Sequence, residues 1–201
     1  MNATASRLEY LRAHKIGDCT RCILHRNRTR IVFGEGRPDA DIMLVGEAPG
    51  YQEDISGRPF VGPAGKLLTA WIEAVGLRRG EVYIANVVKC RPLDNRDPYP
   101  QEKEACSPFL HTQIFLVRPR VLVALGRHAA NGLARTNIAM RDLRGVDLRY
   151  RNEKTDMDVP VVATYHPSYV LRKGRGEPER EALADLHRAL SLAGLSAGHG
   201  G

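Results

Sequence analysis

The sequence predicts an α/β fold: a central, mostly parallel four-stranded sheet with helices on both faces. Two observations carry this. Apolar runs at residues 42–45 (IMLV), 82–88 (VYIANVV), 121–125 (VLVAL) and 159–164 (VPVVAT) alternate with segments of helical period, the pattern of a parallel sheet with covering helices. Three of the runs also lead into polar punctuation: Gly46-Glu47-Ala48-Pro49-Gly50, Lys89-Cys90-Arg91-Pro92 and His166-Pro167-Ser168. The strand ends of a parallel sheet share one edge, and ligands of open α/β folds bind there.

The elements follow in order. Residues 4–13 read as a short, weakly patterned helix, and a basic segment without a clear period runs from Cys19 to Asp41. The strand at 42–45 opens a loop that carries two carboxylates, Glu47 and Glu53, beside one aromatic ring, Phe60. Acid, base and a stacking surface suit chemistry on a flat ring. Residues 63–76 place apolar side chains at 64, 67, 68, 71, 72 and 75, the stripe of an amphipathic helix, with Pro63 in its first turn and Gly76 at its stop. After the strand at 82–88, a polar loop over 93–100 leads to a helix beginning near Ser107-Pro108, where Phe109, Leu110, Gln113, Ile114 and Val117 share a face. A strand at 121–125 and a helix at 126–134 follow. Strands at 146–150 and 159–164 are joined by a polar turn, and the last helix covers 178–193. One domain over residues 1–193 is expected, with a disordered small-residue tail at 194–201.

Composition narrows the classes. No segment approaches the roughly 18 apolar residues that a membrane span needs, and Met1 to Arg12 shows no secretory pattern. A cytoplasmic protein without a membrane partner is expected. The net charge is +7, from 30 Lys and Arg against 23 Asp and Glu. Such a surface favours polyanions, nucleic acid first among them. Biased codon usage would also enrich arginine. The four cysteines, Cys19, Cys22, Cys90 and Cys106, follow a C-x2-C-x67-C-x15-C pattern. In a cytosolic chain this argues for metal over disulfides. Structural zinc and an iron–sulfur cluster both use four thiolates, and two of the cysteines could instead be buried without a ligand.

Single residues say less. The Asn86 carboxamide is a double donor and an acceptor: its NH2 suits uracil O4 and its oxygen suits N3–H, whereas cytosine presents the opposite pattern. Asn at a strand end also bonds local backbone. His166, before a proline, suits a strand-end turn, where it could donate to charge building on a leaving group. A surface His and a core Phe60 are the plain alternatives.

Taken together the motifs are specific. GEAPG with Glu53-Asp54, then GRPFVGPAGKLL, NVVKCRP with Asn95-Arg96, and HPS resemble family 4 (type A) iron–sulfur uracil-DNA glycosylases, in order from about Gly17 to Leu190. The resemblance implies a uracil-DNA glycosylase-like fold and excision of flipped-out uracil from single- or double-stranded DNA. It implies a [4Fe-4S] cluster on Cys19, Cys22, Cys90 and Cys106. It makes Glu47, His166 and Glu53 catalytic, with Glu47 acting on water and sugar charge and Glu53 positioning water or bracing the loop. Ala48, Phe60 and Asn86 would bind the base. Ser168, Tyr169, Leu171, Arg172 and Lys173 would contact DNA, with Leu171 or Tyr169 as a wedge and Arg172, Lys173 and Arg175 on phosphates.

The family's motifs hold no lysine placed for a Schiff base, so the activity is expected to stop at an abasic site. No insertion with a sugar-trapping His follows the NVVK strand, so turnover is expected. A nucleoid-associated monomer is expected, and no docking motif indicates a sliding clamp. The competing readings are a glycosylase for hypoxanthine or xanthine and a non-cleaving damage-binding protein. Electron transfer is a third, but the cysteines lack compact ferredoxin spacing.

Overall fold

In the computed structural model, which describes residues 2–195, the strands are β1 (Glu35–Gly36), β2 (Ile42–Gly46), β3 (Tyr83–Asn86), β4 (Val121–Leu125), β5 (Leu148–Asn152) and β6 (Met157–Thr164). They form one sheet in the order β1-β3-β2-β4-β6-β5. The inner four are parallel, while β1 and β5 pair antiparallel at the edges. The four-stranded expectation holds for the parallel centre, and the sheet is two strands wider. A two-residue β1 has no readable period. Gly36 is what lets it approach β3, since a Cβ there would lie 2.0 Å from the Val82 carbonyl oxygen.

Strands β2, β3 and β4 are buried along their whole length, as a sheet covered on both faces requires. Alternate residues serve opposite layers. Met43, Val45, Leu122 and Ala124 pack under α1 (Ala3–Tyr10), α4 (Pro100–Val117) and α5 (Arg127–Ala134). Ile42, Leu44, Val121 and Val123 pack under α3 (Pro63–Ala74), α7 (Pro167–Lys173) and α8 (Glu177–Leu192). Trp71, 1% exposed, is core as its helical stripe implies. Its indole N–H donates to Glu179 Oε1 at 3.0 Å and ties α3 to α8. From β2 the chain crosses to β3 on one side, then to β4 on the other. This reversal opens a crevice at the carboxyl ends of the strands.

Three expectations need correction. Helix α4 begins at Pro100, well before Ser107, with Pro108 inside it. The carbonyl of Glu104 that Pro108 cannot serve accepts instead from Ser107 Oγ at 3.0 Å. The loop expected around Glu53 contains a helix, α2 (Tyr51–Ser56), and the turn expected at His166 opens directly into α7. Gly194 and Leu195, expected in a disordered tail, close α8: their N–H groups donate to Ser191 O and Leu190 O. Residues 196–201 lie outside the described residues. A short helix, α6 (Met140–Leu143), precedes β5. No helix among the described residues is long and apolar enough to cross a membrane.

Candidate active site

A cavity of about 820 Å³ opens at the carboxyl edge of the sheet. It gathers Glu47 and Ala48 after β2, Asn86 at the end of β3, and His166 after β6, the convergence that the strand ends imply. A fourth strand end joins them: Gly126 and His128 after β4 also line it.

Asn86 is 1% exposed, and neither its Nδ2 nor its Oδ1 has a hydrogen-bond partner in the protein. A buried carboxamide left unpaired costs free energy unless a ligand completes it. It sits in register with Gly46 of β2. A Cβ on Gly46 would fall 2.5 Å from Asn86 Oδ1 and 2.5 Å from Phe60 Cζ, so this glycine admits the amide and the ring side by side. Phe60 adopts a left-handed backbone conformation, φ 51°. Gly65 in the first turn of α3 permits it, because a Cβ there would meet the Phe60 carbonyl at 1.9 Å. The Phe60 ring lies 5.7 Å from the His166 ring, centre to centre.

The two carboxylates differ. Glu53 Oε1 accepts from the backbone N–H groups of Val61 and Gly62, both at 2.8 Å, and Oε2 accepts from Gly50 N–H at 3.1 Å. It therefore fastens the start of α2 to the start of α3. Its neighbour Asp54, buried, accepts from Thr29 N–H at 2.9 and 3.0 Å and anchors the N-terminal segment. Glu47 makes no such backbone bonds through its side chain. Lys103 Nζ of α4 lies 3.0 Å from Glu47 Oε1, and His128 Nδ1 of α5 lies 3.5 Å from it. Neither hydrogen-bonds this buried oxygen, and Lys103 faces it as an ion pair. His128 Nε2 in turn lies 3.1 Å from Asp97 Oδ2 and 3.2 Å from Arg127 Nη2. Lys103, His128 and Asp97 are absent from the sequence reading. The cue was the Gly126-Arg127-His128 punctuation after VLVAL, a fourth strand end of the same kind.

His166 caps α7. Its Nδ1 accepts from Ser168 N–H at 3.2 Å and contacts Ser168 Oγ at 2.8 Å. An Nδ1 that accepts leaves the proton on Nε2. Burial, helped by the nearby Arg172 charge, pushes the imidazole down to about 4, so at neutral pH it is an uncharged donor. Along α7, Tyr169 stacks on Tyr165 at 5.1 Å and packs against the α3/α8 layer, which leaves Leu171, 40% exposed, as the free apolar side chain. Arg172 lines the cavity and Lys173 is exposed. Arg175, expected on a phosphate, is paired with Glu179 at 2.7 and 2.6 Å.

The close pair Cys19 and Cys22 and the distant Cys90 and Cys106 line one small pocket beside β3 and α4, and none is disulfide-bonded. Arg28 Nη1 donates to Cys90 Sγ at 3.4 Å, and Lys89 N–H donates to Cys106 Sγ at 3.3 Å. Burial pushes the Cys106 thiol up to about 11, against the nearby Lys89 charge, and raises Cys90 too. Buried sulfurs with N–H donors aimed at them suit thiolates whose charge a metal centre takes up. The donor set fits.

Residues 33–187 match the family model described as the uracil DNA glycosylase superfamily. The chain is 43% identical over 190 residues to the type-4 uracil-DNA glycosylase of Thermotoga maritima, covering 94% of this chain and 96% of that protein. It is 45% identical over 172 residues to the type-4 uracil-DNA glycosylase of Pyrobaculum aerophilum, covering 83% and 87%. The type-5 uracil-DNA glycosylase of Thermus thermophilus is 37% identical over 119 residues, covering 52% of this chain and 54% of that one. Both the unpaired carboxamide beside a ring and these likenesses lead to one conclusion: the chain belongs to the uracil DNA glycosylase superfamily.

Proposed function

We propose that this protein flips uracil out of DNA and hydrolyses its N-glycosidic bond, leaving an abasic site. The unpaired carboxamide of Asn86 carries the reading. Its Nδ2 would donate to uracil O4 and its Oδ1 would accept from N3–H, completing two buried groups at once. Phe60 would stack on the base, with Ala48 at its edge. As the N1–C1′ bond breaks, its electron pair passes into the uracil ring, and the neutral Nε2–H of His166 donates to the charge that builds there. Glu47 would stabilise the positive sugar, direct the water whose oxygen bonds C1′ and take up the proton that this water gives up. Glu53 is then the brace of the two alternatives, since three backbone N–H groups occupy it.

Leu171 would enter the vacated stack, with Ser168, Arg172 and Lys173 near phosphates. Cys19, Cys22, Cys90 and Cys106 would hold the [4Fe-4S] cluster that the motifs imply. Its contribution when bound is structural, crosslinking the N-terminal segment to α4. All the groups invoked come from one chain, which suits one domain acting as a monomer.

Hypoxanthine presents the same acceptor and N–H pattern to Asn86, so the base must be tested directly. The assay is single-turnover treatment of an oligonucleotide carrying one uracil, with thymine, cytosine and hypoxanthine controls, followed by alkali. Strand breakage confined to uracil and dependent on alkali is expected. Breakage at hypoxanthine alone would reassign the base, and binding without breakage would make the protein a damage binder.

A further inference from the structure

The ion pair at Glu47 has no part in the scheme above, yet its geometry is specific. Oε1 of Glu47 is buried and has no hydrogen bond, and what faces it is the Lys103 ammonium at ion-pair distance. The Glu47 side chain keeps 17% exposure where it lines the cavity. Lys103 approaches that oxygen at 3.0 Å from the first turn of α4.

That turn is held firmly. Glu102 Oε2 accepts from Tyr99 N–H at 2.7 Å, and Arg96 grips the Glu102 carboxylate with two bonds, at 2.9 and 2.7 Å. The ammonium itself is propped from a second element. His128 Nδ1 lies 3.4 Å from Lys103 Nζ, and Asp97 holds the far nitrogen of that ring at 3.1 Å. Three elements therefore meet at one carboxylate: the end of β2, the start of α4 and the start of α5.

A divalent cation is the rival occupant, because donor atoms of Glu47, Asp97 and His128 lie within 4.8 Å of one another. The ammonium already stands against two of those three donors. A metal would have to displace it.

We propose that Lys103 is a positioning residue for Glu47: its ammonium, propped by the His128–Asp97 pair, pins one carboxylate oxygen and turns the other toward water and sugar. The proposal rests on the glycosylase reading. A point charge serves here better than a bidentate clamp, because it fixes one oxygen and leaves the second free. Catalytic groups displaced by about 1 Å lose on the order of 100-fold in rate, which sets the expected effect.

The test is a cycle of Lys103→Met, Glu47→Ala and the double variant, with Lys103→Arg and His128→Gln beside them. Single-turnover excision is measured on uracil DNA, and the dissociation constant is measured on DNA carrying non-cleavable 2′-fluorodeoxyuridine. Lys103→Met is expected to lower the excision rate about 10- to 100-fold while leaving the dissociation constant within twofold. Lys103→Arg should restore part of the rate, and the double variant should be no slower than Glu47→Ala alone.

Losses that multiply in the double variant would overturn the proposal. So would weaker binding at an unchanged rate, which would make Lys103 a phosphate contact. Recovery of Lys103→Met by added Mn²⁺ would give the position to a metal. Should Lys103→Met not fold, His128→Gln must show the same split between rate and binding for the proposal to stand. Wild-type protein that cuts hypoxanthine and spares uracil changes the base, not the cycle, which is then run on that base.

Discussion

The proposed role of Asn86 would concentrate the selectivity in two atoms, both buried and unpaired. Asn86→Asp replaces the donor with a second acceptor, which faces uracil O4 with like charge and leaves the pocket matched to neither base. Uracil excision is expected to fall by about 10²- to 10³-fold, the range for losing one aligned donor, and single-turnover rates on uracil and cytosine DNA check it. His166 makes a prediction about stability. Its imidazole sits near 4 in the folded protein against an ordinary 6.5, so below pH 6.5 the unfolded chain takes up a proton that the folded one does not. Above pH 6.5 the group has no effect. Between 6.5 and 4 it removes stability as the pH falls, by about 3 kcal/mol in total. Denaturant melts at pH 7 and pH 5 should show a slope that His166→Gln diminishes. An equal slope in both proteins would mean that burial does not depress the histidine in the fold.

At the scale of elements, Glu53 and Glu47 separate by what each replacement damages. Glu53→Ala frees three N–H groups at the joint of α2 and α3 and should cost on the order of 2–4 kcal/mol, a fall in Tm of roughly 5–15 °C. Glu47→Ala should keep its Tm and lose excision. Calorimetry beside single-turnover rates would decide, and a Tm loss confined to Glu47→Ala would reverse the two roles. The sequence showed the parallel centre clearly because its buried strands are unbroken apolar runs. It hid α2 and α7 because each is short, begins beside Gly or Pro, and carries the motif residues that read as turns. Pro108 disguised the start of α4: a proline usually opens a helix, and only the Ser107 hydroxyl bond lets this one sit inside. Asn86 and His166 were legible because they stand at strand ends within motifs, and Phe60 because its motif leads into α3. Lys103 was not, since it reaches Glu47 from a helix whose placement no local pattern reveals, and the one cue to His128 was the fourth strand end.

At the scale of the molecule, the cysteine pocket is one of the ties on the N-terminal segment, with the Asp54 bonds to Thr29 and the Val32 N–H bond to Lys89 O among the others. Cys19→Ser should abolish visible iron–sulfur absorbance and expose residues before Thr29 to protease while the sheet stays resistant. Zinc in the purified wild-type protein, without that absorbance, would sink the cluster assignment. Leu171→Ala should slow excision from duplex DNA about 10-fold or more, given a few kcal/mol for extruding a paired base, and leave single-stranded substrate nearly unchanged. Equal effects on both would remove Leu171 from the stack. One further property follows from His166 being the cap of α7. The side chain that would donate to the base and the side chain that would enter the stack sit on one short rod, His166 as its cap and Leu171 in its second turn. On the proposed roles, a duplex that keeps its bases stacked would hold the rod back, and the imidazole with it. The bond-breaking groups would thereby be geared to the opening of the DNA, and an undamaged pair that never leaves its stack would be spared by mechanics before it is ever read by chemistry.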